Sequence, residues 1–312
     1  MNSPKISVCI ATYNYGRYLR DCMDSILNQS FKDFELIICD NASSDDTKQV
    51  VSSYSDVRIR YFCQDSNIGP QRNFNTAIGM AKGEYIKLMC ADDVMLEKVL
   101  EDQAGTLDRA SNVGMVSCDN FLSDESLCLQ SVFKCMHGEI NGEALIAMCN
   151  DKLLNLVGGP SNHMFRASAL PPAPFDQEFK YLSDLLVVFK VLRNWDYSSI
   201  NRPGYIYRRH SLTDTNLSCP NAVLWDNWYR LVAVHGRFNA KNIYFFLKSG
   251  QFKIGFTTVF AKSTRWALSG VAIMALKSLV PKPVFRRVLW KVPVPMPNYE
   301  PMLCPVGQSA AK

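Results

Sequence analysis

Through the first 120 residues, short apolar runs alternate with segments whose apolar residues recur at helical spacing. No other feature restricts the fold as much. "ISVCIA" (6–11) is apolar at nearly every position, as a strand covered on both faces would be. Leu19, Cys22, Met23, Ile26 and Leu27 follow at helix spacing. "FELIICD" (34–40) reads as a second strand, and "SSDDTKQVVSSY" as a helix capped by Ser43 or Ser44. "VRIRYFCQ" (57–64) is a third strand, and Phe74, Ala77, Ile78 and Ala81 mark a helix stopped at Gly83. "EYIKLMC" (84–90) is a fourth strand, followed by a helix carrying Val94, Val99, Leu100 and Leu107, then by "GMVSC". Alternation of this kind predicts a three-layer α/β domain around a largely parallel sheet. The middle third is less regular. "GGPSNHMFRASAL" (158–170) reads as a loop entering a strand, "YLSDLLVVFKVLRN" (181–194) as an amphipathic helix, and "RPGYIYRRHS" (202–211) as a short strand ending in a cationic cluster.

Open α/β sheets collect ligands at the carboxyl ends of their strands. Those ends are polar here: Thr12, Tyr13 and Asn14, then Asp40 and Asn41, then Asp92 and Asp93. Asp40 stands where a ribose-binding acid of a dinucleotide fold would stand. Yet the first turn, "TYNYGRYL", holds one glycine, and neither GxGxxG nor GxxxxGK[ST] occurs. Something other than backbone amides must then neutralise phosphates. Carboxylates at a strand end can hold Mg²⁺ or Mn²⁺, which bridges to phosphate oxygens, and Asp92 with Asp93 supply them. Each residue also has a plain reading: Asp93 as the cap of the next helix, Tyr13 as a rim aromatic, Asp184 as an exposed helix acid. The placement of Tyr13, Asp40 and Asp92 at ends expected to share one sheet edge favours the site.

Composition narrows the setting. Eleven cysteines are scattered without a CxxC pair, several inside apolar runs, which is the pattern of buried free thiols in a reducing compartment. "MNSPKISVCIATYN" has no signal-peptide apolar core, so a cytoplasmic protein is expected. The net charge of +5 hides an asymmetry: between Asn227 and Tyr299 there is no Asp or Glu, but twelve Lys and Arg. These basic residues are interleaved with Phe252, Phe256, Phe260, Trp266, Phe285 and Trp290. The longest uncharged apolar run, "WALSGVAIMAL" (266–276), has eleven residues, against the roughly 20 a spanning helix needs. A surface-lying helical region on an anionic membrane is therefore expected for 226–312, after a catalytic domain over 1–225.

The stretches "ISVCIATYNYGRYLRDCMDSILNQSFKDFELIICDNASSDDT" and "NIGPQRNFNTAIGMAKGEYIKLMCADD" closely resemble the inverting family 2 glycosyltransferases of the GT-A fold. The likeness is specific from about Lys5 to Asp93 and continues more weakly through "FRASAL", "YLSDLLVVFKV" and "YIYRRHS". It implies that Tyr13 stacks on the nucleotide base beside Thr12, and that Asp40 and Asn41 read base and ribose. Arg72, in "QRN", would lie near the nucleotide. Cys90, Ala91 and Asp92 occupy the DxD position, which makes Asp92 the ligand of Mg²⁺ or Mn²⁺. Asp184 aligns with the general base, and the run from Arg208 to His210 would close over the diphosphate. Cys90 stands where the family has the first acid of DxD, and Ser183 where it usually has Glu.

The expected partners are a nucleotide-diphosphate sugar, most often UDP-linked in such enzymes, and a glycan or polyprenyl-diphosphate-linked acceptor at an anionic membrane surface, with no nucleic acid. Two alternatives stand beside this. A sugar nucleotidyltransferase would need a glycine- and arginine-rich loop after the first strand, which "TYNYGRY" does not supply. A catalytically inactive nucleotide-sugar-binding homologue is distinguished only by assay.

Overall fold

The computed structural model describes residues 3–151, 154–179 and 181–211. The apolar runs become strands whose alternate residues serve two helix layers. In β1 (Ile6–Thr12) and β2 (Phe34–Asp40), Cys9, Ile37 and Cys39 face one core, and Val8, Ile10, Leu36 and Ile38 face the other. The first core is closed by α3 (Pro70–Gly79), α5 (Gly142–Asp151) and α6 (Ser183–Leu192); the second by α1 (Gly16–Leu27), α2 (Thr47–Ser52) and α4 (Val99–Arg109). Both faces being covered, these strands are apolar at most positions. Among the described residues the cysteines are all free thiols, six of them buried.

The remaining strands are β3 (Ile59–Cys63), β4 (Tyr85–Cys90), β5 (Val94–Met95), β6 (Val113–Ser123), β7 (Leu129–Phe133), β8 (Met164–Arg166) and β9 (Asp196–Arg208). They form one sheet in the order β3-β2-β1-β4-β8-β6-β9-β5, with β7 on β6. The parallel arrangement expected from the alternation holds for β3, β2, β1 and β4. Beyond β4 the sheet is mixed: β8 is antiparallel to both β4 and β6, β6 and β9 are parallel, and β5 is antiparallel to β9. Three layers with a central sheet are the GT-A-type architecture.

Three local expectations change. The helix expected from Val94 begins at Val99; Val94 and Met95 instead make β5, because Leu96 N donates to the carbonyl of Gly204 and both strand residues pair with β9. Asp93 is therefore no helix cap. Neither Ser43 nor Ser44 caps α2, which starts at Thr47 with Asp45 accepting from Thr47 N at 3.0 Å. The strand expected over 202–211 starts at Asp196 and runs thirteen residues, since it has β6 as a partner along most of its length. The expected membrane-docking region, 226–312, lies outside the described residues, and no described helix is long and apolar enough to cross a membrane.

Candidate functional site

Register brings the polar strand ends together. Thr12 is opposite Asp40, and Ala11 is opposite Cys90, so β1, β2 and β4 finish along one edge of the sheet. The turn after β1 is held by its neighbour: Asn14, at φ 57°, donates its backbone N–H to Ser43 Oγ at 2.9 Å and accepts from Ser44 N at 2.8 Å. Gly16, the single glycine of this turn, serves packing. A Cβ on it would lie 2.7 Å from Thr47 N, and its own N–H donates to Asp45 at 2.9 Å, so the starts of α1 and α2 abut. Tyr13 stands out from this turn, 42% exposed.

Behind Tyr13 the acids are internal. Asp40 is buried; it accepts from Tyr61 Oη at 2.6 Å and from Ser43 N at 2.9 Å, and burial with that bond raises the Tyr61 hydroxyl pKa. Asn41 donates to Asn67 Oδ1 and accepts from Ile68 N, both at 2.8 Å, which fixes the turn into α3. The Thr12 hydroxyl is sealed with no partner among the described residues. Arg72, on the first turn of α3, is exposed and donates to Gln177 Oε1 at 2.7 Å. The adjacent Asn73, passed over in the sequence, is buried and donates to the Cys39 carbonyl at 2.7 Å, stitching α3 to β2.

The second half of the site forms where the end of β9 meets the residues that follow β4. Ala91 and Asp92 follow Cys90, and Asp92 Oδ2 lies 3.0 Å from His210 Nε2. Arg208 does not reach solvent. Its Nε donates to the Asp92 carbonyl at 3.0 Å, a terminal nitrogen donates to Asp21 at 2.7 Å, and its guanidinium lies over the Tyr18 ring at 4.9 Å. Tyr18 and His210 also pack ring to ring, 4.6 Å between centroids. Asp93 is sealed behind Asp92, accepting from Ser161 Oγ at 2.6 Å and Arg208 N at 3.2 Å. Burial first, and then the charge of Asp92, pushes the Asp93 carboxyl well above the usual carboxylate range. Ser161 is itself seated by two donors, with Cys90 N at 3.0 Å on its hydroxyl and Lys87 Nζ at 2.7 Å on its carbonyl. Ser161 and Lys87 escaped the sequence reading, as did the sealed position of Asp93, which was named there beside Asp92 as a carboxylate for a cation. The only available signals were the doubled acid and a lysine inside an apolar strand.

Cys90, Asp92 and Asp93 each present a ligand atom within 4.8 Å of the others, and His210 Nε2 is beside Asp92. Carboxylate oxygens suit Mg²⁺ or Mn²⁺, and the added imidazole and thiol suit Mn²⁺ better than Mg²⁺. Asp92 is the more open of the two carboxylates. Asp184 sits apart from this cluster in sequence and element, half-buried in the first turn of α6, where it accepts from Leu185 N at 2.8 Å.

The sequence profile of glycosyl transferase family 2 matches residues 7–170, more than half of the chain. The chain belongs to glycosyl transferase family 2. Among its relatives is the GalNAc(5)-diNAcBac-PP-undecaprenol beta-1,3-glucosyltransferase of Campylobacter jejuni, 34% identical over 56% of this chain and 56% of its own. Another is the UDP-Glc:alpha-D-GlcNAc-diphosphoundecaprenol beta-1,3-glucosyltransferase WfaP of Escherichia coli, 30% identical over 46% of this chain and 57% of its own. The chain spans about half the length of the curated relatives it matches. In fold it resembles S. aureus TarS, solved with UDP-GlcNAc, at TM-score 0.60 and 19% identity over 83% of this chain and 73% of that one. It also resembles the mannosyltransferase PcManGT from Pyrobaculum calidifontis, solved with GDP-Man and Mn²⁺, at TM-score 0.53 and 14% identity over 91% and 82%.

Proposed function

We propose that this chain transfers a sugar, with inversion, from a UDP-linked donor to a hydroxyl of a glycan or lipid-linked acceptor in surface-polysaccharide synthesis. The observation that carries the reading is Asp92 beside His210 on the same sheet edge that presents the exposed Tyr13. The names of the two relatives, both acting on undecaprenyl-diphosphate-linked glycans, support the acceptor class. UDP is supported by the donor in the E. coli relative's name and by the ligand of TarS.

In this reading Tyr13 stacks on the base, and the internal acid Asp40 with Asn41 keeps the base and ribose pocket in shape. Asp92 and His210 would hold Mg²⁺ or Mn²⁺, and such a cation would supply positive charge against the departing diphosphate. Arg208 works as a positioning residue, gripping the Asp92 carbonyl and packing the aromatic platform under His210. Arg72 lies at the donor edge. The anomeric C–O bond to the diphosphate breaks as the acceptor oxygen bonds to the opposite face of that carbon. The acceptor's proton passes to the carboxylate of Asp184, the general base. The basic region 227–299 docks the enzyme at the cytoplasmic membrane surface, beside a lipid-linked acceptor.

Thermal unfolding of the full chain with UDP, GDP and dTDP, each with and without Mn²⁺, tests the donor half. A ligand at 100 times its Kd adds about 2.7 kcal/mol, so UDP with Mn²⁺ should raise Tm by several degrees, and UDP alone by less. No stabilisation by any nucleoside diphosphate with Mn²⁺ would end the proposal.

A further inference from the structure

A second cluster of ligating side chains lies outside the site just described. Asp119, Cys135 and His137 each present one ligand atom, and the three atoms lie within 4.8 Å of one another. Asp119 belongs to β6, at a place where the ladder with β9 breaks its register twice, before and after Asp119. Bulges of this kind re-aim a side chain and are found beside functional sites. Here the carboxylate is almost wholly buried and meets the segment that follows β7. Its Oδ1 accepts from Cys135 N at 3.0 Å and lies 2.8 Å from His137 Nε2. The Cys135 thiol is buried, and the His137 ring is partly open to solvent. The backbone of the segment carrying both ligands is held by side chains of β9, Tyr197 Oη donating to the Met136 carbonyl at 2.7 Å and Gly138 N donating to Ser199 Oγ at 3.1 Å.

We propose that Asp119, Cys135 and His137 form a zinc-type cation site that ties the segment between β7 and α5 to the central strand β6. Three features support this. One oxygen, one sulfur and one nitrogen donor are a set that Zn²⁺ takes readily in tetrahedral geometry, with a fourth position left for water on the open His137 side. The buried Asp119 side chain meets the Cys135 backbone N–H, the Cys135 thiol and the half-exposed His137 imidazole, so three donor side chains already converge where a cation would sit. Mg²⁺ is the wrong ion for such a set, because thiolate and imidazole favour softer first-row ions. The Asp92 cluster also contains a cysteine, so the two sites must be told apart by variant.

The test is titration of the metal-free full chain with Co²⁺, which reports a cysteine ligand by a thiolate-to-cobalt charge-transfer band and four-coordination by intense visible d–d bands. The expected result is a thiolate band in the wild type, retained in Cys90→Ser and Asp92→Asn and lost in Cys135→Ser. Competition by Zn²⁺ against a chromophoric chelator should weaken in His137→Ala by more than the roughly 10–100-fold that loss of an outer-shell partner costs. His137 is exposed, so this variant folds even if Cys135→Ser does not, and made in the Asp92→Asn, Cys90→Ser background it decides the matter alone. A wild type without the thiolate band, a band that disappears only in Cys90→Ser, or unchanged Zn²⁺ affinity in His137→Ala would each overturn the proposal.

Discussion

Lys87 offers the sharpest test of how the site is held. It is fully buried in β4 and donates to the Ser161 carbonyl at 2.7 Å, and Ser161 in turn bonds Asp93. Burial lowers its pKa from 10.5 to about 8. Below pH 8 both the folded and unfolded chains carry the charge. Between pH 8 and 10.5 the folded ammonium has released its proton and the unfolded one has not, so on this group's account stability rises with pH. The drop to about 8 corresponds to about 3 kcal/mol. Lys87→Met removes that rise. At pH 7 the variant gains up to about 3 kcal/mol by burying no charge, and loses about 1–3 kcal/mol because the Ser161 carbonyl has no donor. The variant should therefore be between equal and about 2 kcal/mol more stable at pH 7, and about 1–3 kcal/mol less stable at pH 10.5. Urea unfolding followed by tryptophan fluorescence at pH 7, 8.5 and 10.5 measures the difference, in which all other titrations cancel. Curves that stay parallel within about 1 kcal/mol would show that the ammonium is not held in a low-dielectric site.

Asp92→Asn preserves size and hydrogen bonding to His210, so the fold should stand while turnover falls roughly 10²-fold or more; full activity in EDTA would refute the cation's role. Asp184→Ala should bind donor nearly as the wild type in calorimetry and lose about 10²–10⁴-fold in turnover, and weakened donor binding with intact turnover would reassign it to a structural role. Full-length protein should sediment with anionic liposomes at low salt and release partly at high salt, each basic residue of 227–299 contributing on the order of 1 kcal/mol; a chain cut near Tyr229 that binds equally would exclude this docking.

The parallel half of the sheet was legible because its information is local. Each strand from β1 to β4 is an apolar run with a helix in between, and strand ends fall where the apolar run meets a polar pair, so Tyr13, Asp40 and Asp92 could be set on one edge from spacing alone. The family likeness lies in the same residues for the same reason. What followed β4 was decided by pairing across long stretches of chain. A helix was expected from Val94 because apolar spacing there fits one, but β9, more than a hundred residues later, takes Val94 and Met95 as a strand. Asp93 looked like a cap because a cap is the local role for such an acid. It became a buried, hydrogen-bonded acid through Ser161 and Arg208, 68 and 115 residues away. The family likeness sets His210 with Arg208 over the diphosphate, and its place beside Asp92 appears only in the folded chain. Local propensity and hydrophobic period reach a few turns or one strand, which is enough to order β1 to β4. Burial of a charge or a polar hydroxyl is settled only when distant segments close over it, and Lys87, Asp93, Ser161 and Arg208 acquired their roles at that step.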